Sequence, residues 1–393
     1  MTQFGAAEVR GIIEQFKDLS DPRSSVNRRH LLVDVIVMSI CAVVAGADGP
    51  VAIEEWAKTH RGWLKRYLRL AHGVPSHDTI GRVLEIIRPE SFQECFVAWL
   101  GSLSAPGEGG DAPEGATPLK HYAIDGKTLR RSHDRRRGLG PLHLVSVWAT
   151  ERGVTLGQVA TEEKSNEITA IPELLARIEL KGAVVTIDAA GCQKNIARKI
   201  IDGGGDYVLA VKGNQEKLHR YVQEYLDGLM LSDFKGVAVS AFDEEENRHG
   251  RKEHRYYYQV TAPKDMPGRK QWAGLKTLGV AIRVCETGEN RTIDTRFYIS
   301  SQRRNIGRFV RLVRGHWRIE NTLHWSLDMT FREDETRTRQ RHLADNLAWL
   351  RRLALTLLRQ HPYKQSLVMK RRIAGWNADF LLQVLTGNTV SLR

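Results

Sequence analysis

Residues 183–214 read AVVTIDAAGCQKNIARKIIDGGGDYVLAVKGN. The runs AVVTI and DYVLAV are continuously apolar, the mark of strands buried on both faces. Between them, 193–201 reads as a helix, and Gly203, Gly204 and Gly205 carry the chain into the second strand. The stretch is therefore a strand–helix–strand unit of an α/β fold. Upstream lie three more strand-like runs, HYAIDGKTL (121–129), HLVSVWAT (143–150) and VTLGQVAT (154–161), with Arg152-Gly153 suited to the second turn. A helix over 167–178 connects them to the central stretch. In this order of elements the first and fourth strands are expected side by side.

Three strands followed by alternating helix and strand is the order of a ribonuclease H-like α/β domain. Downstream, about 90 residues (215–304) hold a helix over 216–229 and the strand-like runs VAVSAF, RYYYQV, TLGVAIRV and TRFYIS. They read as a β-rich insertion. Helices over 316–334, 342–359 and 374–385 close the chain. On the N-terminal side, the stretch SAPGEGGDAPEGATP is rich in Gly, Pro and Ala without periodicity, which marks a linker over about 106–118. Residues 1–105 read as an all-α domain, so the catalytic-type domain is expected over 119–393. Its helices are expected over 6–19, 31–44, 52–70 and 89–103, with one more capped by Ser76. The basic helix over 52–70, a Gly-containing turn and GVPSHDTIGRVLEII together resemble a helix-turn-helix in which Arg82 would face DNA. An ordinary helical hairpin fits the same spacing.

Composition narrows the partners. The chain has 393 residues, 41% hydrophobic and 27% charged, which is a globular balance. Lys and Arg number 59 against 46 Asp and Glu, a net charge of +13 that favours a polyanionic partner, nucleic acid before membrane. The four cysteines are far apart with no CxxC pair, so neither a zinc site nor a disulfide framework is expected. No apolar run reaches the roughly 20 residues of a membrane span. The expected location is the cytoplasm.

Two carboxylates stand out. Asp125 sits within an apolar strand and Asp188 at the end of another, where a charge is costly unless paired or bound to a metal. Each has a local alternative: Asp125-Gly126 as a turn, Asp188 as a helix cap. Together, on neighbouring strands, they call for a cation between them. The third is Glu320 in HWRIENTLHWSLDMTFRED (316–334), where Trp317, Glu320, Asn321, His324 and Asp328 share one face of the expected helix. Taken alone, Glu320 fits a surface carboxylate. If that helix packs on the sheet, the three form an Asp-Asp-Glu cluster of oxygen ligands. Two Mg²⁺ ions about 3.5–4 Å apart in such a cluster serve in-line displacement at phosphorus.

The stretches GVPSHDTIGRV, AIDGKTLRRS, EKSNEITAIPELL, VTIDAAGCQKNIA, DYVLAVKGNQ, RHGRKEHR, FYISS and HWRIENTLHWSLDMTFRED occur in this order. Through them the chain resembles, over nearly its whole length, the H-repeat-associated family of bacterial insertion-sequence transposases, a branch of the DDE transposases. The resemblance implies that Asp125, Asp188 and Glu320 are the catalytic, metal-binding triad, with Mg²⁺ or Mn²⁺ as cofactor. It implies double-stranded DNA as substrate and, by analogy, a homodimer on the DNA. Related transposases often carry Tyr-x2-Arg-x3-Glu-x6-Lys around the glutamate. Here Val313, His316 and Leu327 stand at the Tyr, Arg and Lys positions, so those DNA contacts do not carry over. His316, Arg318, Asn321 and His324 are candidates to replace them.

Around the carboxylates, Lys127, Arg130, Arg131, Arg135, Arg136 and Arg137 follow the first aspartate, and Lys212 follows the second core strand. All are candidate phosphate contacts. Arg248, His249, Arg251 and Arg255 in the insertion, and Arg337, Arg339 and Arg341 beyond the glutamate, extend the basic track or form solvated surface. Two alternatives to a transposase remain at this level: a DNA-binding descendant without catalysis, and a nuclease that cuts without joining.

Overall fold

A computed structural model describes residues 4–103, 119–134, 137–161, 167–248 and 251–387. The linker over 106–118, Arg135, Arg136 and His249 lie outside the described residues. The N-terminal helices are α1 (Phe4–Phe16), α2 (Leu32–Val44), α3 (Pro50–Thr59), α4 (Arg61–Leu64), α5 (His77–Ile86) and α6 (Pro89–Leu103). Strands β1 (Lys120–Thr128), β2 (His143–Ala149) and β3 (Val154–Thr161) precede α7 (Glu167–Ala176), β4 (Ala183–Ile187), α8 (Lys194–Asp202) and β5 (Asp206–Val211). Then come α9 (Glu216–Leu231), β6 (Val239–Arg248), β7 (Arg251–Thr261), β8 (Thr277–Thr287) and β9 (Asn290–Ser300). The chain closes with α10 (Ile306–Arg318), a π-helical turn (Ile319–His324), α11 (Trp325–Phe331), α12 (Arg341–Gln360), α13 (Leu367–Trp376) and α14 (Ala378–Thr386).

The nine strands form one mixed sheet in the order β3-β2-β1-β4-β5-β9-β8-β7-β6. β1 pairs antiparallel with β2 and parallel with β4, and β4 pairs parallel with β5. Every residue of β4 is buried, as its unbroken apolar run predicts. Strands β6–β9, expected as an insertion, do not form a separate layer. β9 pairs antiparallel with β5 and extends the same sheet outward. Ile171, Leu174, Ile196, Ile200 and Val222 of α7, α8 and α9 cover one face. Phe309, Val310, Leu312 and Val313 of α10 cover part of the other, against Val184 and Val208.

The helices of the two chain ends share one core. α2 is apolar almost all round and buried accordingly. Its neighbours include Leu347, Leu350, Leu353 and Leu357 of α12 and Phe380 and Leu381 of α14. Buried polar side chains tie the two ends together. Nδ2 of Asn346 donates to the carbonyls of Leu84 (2.7 Å) and Ile87 (3.0 Å) at the end of α5. The Arg371 guanidinium donates to the carbonyls of Val43 and Ala47 and to Asp48. Beside α12, Arg352 meets Glu333 at 2.9 Å, both fully buried.

Three expected helices are broken, each for a local reason. The helix over 52–70 stops at Thr59, where His60 leaves the helical conformation and its ring stacks on the Trp56 indole, 2.9 Å from the Trp56 carbonyl. The last helix is two. Asn377 ends α13, and its side chain accepts from the amides of Asp379 and Phe380 to start α14. The break within 316–334 is described below. In the α3–α5 pair, His77 is held by Glu54 at 2.6 Å and Thr79 is half-buried, while Arg82 is exposed with Nε donating to the Asp78 carbonyl. No helix of the described residues is long and apolar enough to cross a membrane. All four cysteines are free.

Breaking the Glu333–Arg352 pair from one side leaves a buried charge uncompensated. Arg352→Met alone is expected to lower the unfolding free energy by about 3–5 kcal/mol in a urea titration. Asp345 of α12 is buried, receives a hydrogen bond from Gln158, and burial pushes its carboxyl up to about 7. A folded-state value above the unfolded one stabilises most at low pH, and that contribution is lost as pH rises from about 4 through 7. In thermal melts, Asp345→Asn should therefore gain on the wild type as pH rises over this window.

Candidate active site

The parallel register of β1 and β4 places two aspartates together. Ile124 lies opposite Ile187, so Asp125, still within β1, and Asp188, just past the end of β4, follow side by side. Asp188 is oriented by its own loop: Oδ1 accepts from the amides of Ala190 (3.0 Å) and Gly191 (3.3 Å). Asp125 Oδ1 accepts from the Gly126 amide at 2.9 Å, and Oδ2 lies 3.5 Å from Nδ1 of His324. Burial first, then the negative charges of Asp188 and Glu320, push the Asp125 carboxyl up to about 8. Glu167 adds a smaller push in the same direction.

Glu320 stands on the π-helical turn, not on a continuous helix over 316–334. The physical reason lies in the buried stripe Ile319, Leu323, Leu327 and Phe331, all 0% exposed and four residues apart. In an α-helix such a stripe drifts by about 40° per step. The wider π turn takes up the drift and keeps all four side chains in the helical core. Arg332, at φ +51°, then ends α11. The break also divides the face expected to be shared. Trp317, Arg318, Glu320 and Asn321 line a groove of about 1040 Å³ between α10 and strands β6–β9. His324 turns inward to Asp125, and Asp328 turns to β1.

The candidate cations divide likewise. Lys127 is buried, and Nζ donates to both oxygens of Asp328 (2.7 and 2.8 Å) and to Asp334 (3.0 Å). It ties the strand of Asp125 to the segment after Glu320 instead of facing solvent. Arg130 is largely exposed beside Asp334, Arg131 and Arg137 are exposed, and Lys212 is exposed after β5. The Lys212 loop is anchored near Asp188, since Nδ2 of Asn214 donates to the Ala189 carbonyl at 2.6 Å. His316 is half-buried and kept neutral, its pKa lowered to about 4 chiefly by burial. Burial, then Arg352 and Lys127, lowers His324 to about 3. Arg82 lies on α5, among the helices. Arg251 donates to Cys285, Arg255 pairs with Glu244, Glu246 and Glu253, and Arg341 donates to the Gly140 carbonyl. Arg337 and Arg339 are exposed. Trp317 is covered by the Arg296 guanidinium at 3.6 Å, whereas Trp325 is exposed.

Sequence reasoning missed a buried pair next to Asp125. Nε2 of His143 lies 2.5 Å from Glu167, and both side chains are nearly inaccessible. Nδ1 of the same ring is 2.8 Å from the Thr128 hydroxyl. The pair packs where a Gly126 side chain would be, which explains the glycine after the aspartate. Nothing local in β2 or α7 announces it, since the partners lie 24 residues apart.

The carboxylates of Asp125, Asp188 and Glu320 offer oxygen donors only, and the Asp125 carboxyl is raised first by burial and then by the charges of the other two. Such donors fit a hard divalent cation such as Mg²⁺ or Mn²⁺, not zinc. Among the described residues, no group of three or more His, Cys, Asp or Glu side chains is gathered closely enough to hold a metal ion.

Residues 116–357 match the family model described as "Transposase DDE domain", and residues 13–100 match that described as "DDE_Tnp_1-associated". The chain is 36% identical to the H repeat-associated protein YhhI of Escherichia coli (strain K12), over 98% of this chain and 100% of that one. It is 38% identical to YncI of Escherichia coli O157:H7, over 96% and 95% of the two chains. Both relatives carry "transposase" in their names. Among solved structures, a piggyBac transposase in a synaptic complex with hairpin DNA aligns at 11% identity and a TM-score of 0.40, over 97% of this chain and 77% of that one.

A side chain at Gly126 would overlap Nε2 of His143 and Oε1 of Glu167. Gly126→Ala is expected to displace that pair and lower the melting temperature by several degrees, a loss of about 1–3 kcal/mol. Differential scanning calorimetry of the purified variant checks it.

Proposed function

The chain belongs to the transposase DDE-domain family, and on that premise we propose that it is the transposase of a bacterial insertion sequence, cutting the element's DNA ends and joining them to a target. The observation that carries this reading is that Asp125, within β1, and Asp188, just past the end of the neighbouring parallel strand β4, follow a paired Ile124 and Ile187, with Glu320 close enough for its charge to act on Asp125. In this reading residues 119–393 act as a ribonuclease H-like catalytic domain with an insertion at about 215–304. The antiparallel β3-β2-β1 edge continued by parallel β4 and β5 supports that assignment.

Asp125, Asp188 and Glu320 would hold one or two Mg²⁺ or Mn²⁺ ions. When bound, such ions supply charge neutralisation at the phosphoryl group and favour deprotonation of the attacking water or 3′-hydroxyl. The chain's own groups set the stage for that chemistry. The Ala190 and Gly191 amides keep one oxygen of Asp188 turned back toward its loop. The neutral His324 ring stands beside the second oxygen of Asp125. Lys127, held between Asp328 and Asp334, keeps the strand of Asp125 and the segment beyond Glu320 in register. Arg130, Arg131, Arg137 and Lys212, all exposed, would meet DNA phosphates and position the duplex. Arg318 and Asn321 would contact a strand entering the groove beside Glu320. The N-terminal helices, with Arg82 exposed on α5, would add DNA contacts, and two copies would bring two element ends together in the cytoplasm.

The test is cleavage and joining of labelled DNA carrying the element's end, in Mg²⁺ and in EDTA, by the wild type and by Asp188→Asn. Metal-dependent cutting at the repeat boundary, followed by strand transfer and abolished in the variant, is expected. Cutting without joining would make the protein a nuclease. Tight binding of the repeat without cutting in Mg²⁺ or Mn²⁺ would make it a DNA-binding descendant.

A further inference from the structure

Three polar side chains without a role in the proposed chemistry meet beneath α10. Nε2 of His121 lies 2.8 Å from the hydroxyl oxygen of Thr186, and Nδ1 of His316 lies 3.1 Å from the same oxygen. His121 and Thr186 are 1% and 2% exposed. Their places in the chain form a pattern. His121 precedes Asp125 by four residues on β1, Thr186 precedes Asp188 by two, and His316 precedes Glu320 by four. Strand residues two and four apart point to the same face. His121 and Thr186, the latter opposite Ala123, therefore share the face of Asp125, and Asp188 follows just past the end of β4.

The fold makes room for this contact. A Cβ at Gly315 would lie 2.6 Å from Cε1 and Nδ1 of His121, so α10 reaches the sheet here because the position is glycine. Both rings are neutral, since burial lowers His121 to about 3 and His316 to about 4. A neutral imidazole has one donor and one acceptor nitrogen, and a hydroxyl donates once while it accepts. The trio can therefore be satisfied in a directional chain, with one ring donating to the Thr186 oxygen and the other accepting its proton. Burying three polar groups costs desolvation that apolar packing would avoid. What the trio supplies instead is a defined distance between β1, β4 and the helix that leads into the π turn.

We propose that Thr186, bridging His121 and His316, is a positioning residue that sets the separation of Glu320 from Asp125 and Asp188. The proposal rests on the carboxylate set of the proposed function and concerns what holds that set in place. Hydrogen-bonded partners behind ligating groups typically change metal affinity by 10–100-fold when removed.

The experiment is titration calorimetry of Mn²⁺ binding, beside strand-cleavage kinetics, on the wild type, Asp188→Asn, Thr186→Val, Thr186→Ser and His316→Phe. Thr186→Val keeps the shape and removes the bridge. It is expected to remain folded by circular dichroism, to bind Mn²⁺ about tenfold or more weakly, and to lose kcat with KM for DNA unchanged. Thr186→Ser restores the hydroxyl and should bind Mn²⁺ within about threefold of the wild type. His316→Phe removes the bridge from the helix side and gives the same reading if the strand variant does not fold. A Thr186→Val protein that melts earlier yet binds Mn²⁺ and cuts like the wild type overturns the proposal, as does a Thr186→Ser protein as weak as Thr186→Val. A wild type that takes up no Mn²⁺, or an Asp188→Asn variant that takes it up equally well, overturns the carboxylate reading itself.

Discussion

The parallel pairing of β1 with β4 is the constraint on which the rest of the molecule depends. It brings two carboxylates out of a fully buried part of the sheet within reach of each other's charge. The Asp125 carboxyl resists ionisation because burial and two neighbouring carboxylates oppose it. A fold that keeps such a centre holds its backbone firmly, and here the hold comes from both sides of the sheet. The amides after Asp188 restrain one carboxylate, and the His143–Glu167 pair packs against the backbone beside the other.

Glu320 depends on a different part of the protein. Its π turn is anchored by Ile319 and Leu323 in a core shared by the first six helices and the last three. That core is fastened by Asn346, Arg371 and the buried Glu333–Arg352 pair. The helical part is thus not only an attachment to the sheet. It is the support of the third carboxylate, and Lys127 links it back to the strand of the first. The chain belongs to the transposase DDE-domain family, and under the proposed function this division of labour would hold the acidic residues to a fixed spacing.

Strands β6–β9 enlarge the sheet without a separate layer. β9 continues the sheet from β5, and β8, β7 and β6 extend it away from β1 and β4. With α10 they form the groove that Glu320 and Asn321 line at one end. Most of the groove's arginines, such as Arg255 and Arg314, already face glutamates. Arg130, Arg131 and Lys212, by contrast, are exposed.

Much of this was legible from the chain alone, because the signals are local. The unbroken apolar runs of β4 and β5 marked buried strands, the order of elements placed β1 beside β4, and Ser76 announced the start of α5. Asp125 and Asp188 were conspicuous as charges within or at the end of such strands. What the sequence could not show depends on segments far apart. A lysine after Asp125 reads as a phosphate contact until Asp328, 201 residues away, is seen to hold it. His316 reads as a DNA contact until Thr186, 130 residues away, is found at its ring. Helical periodicity likewise predicts one continuous face for 316–334, but the helical core keeps Ile319, Leu323, Leu327 and Phe331 in line and imposes a π turn. Local pattern determined which segments are strands and helices and which aspartates are out of place. Packing between distant segments decided where the glutamate stands and which charged groups remain free to act, because burial and pairing are properties of neighbours that the chain order does not contain.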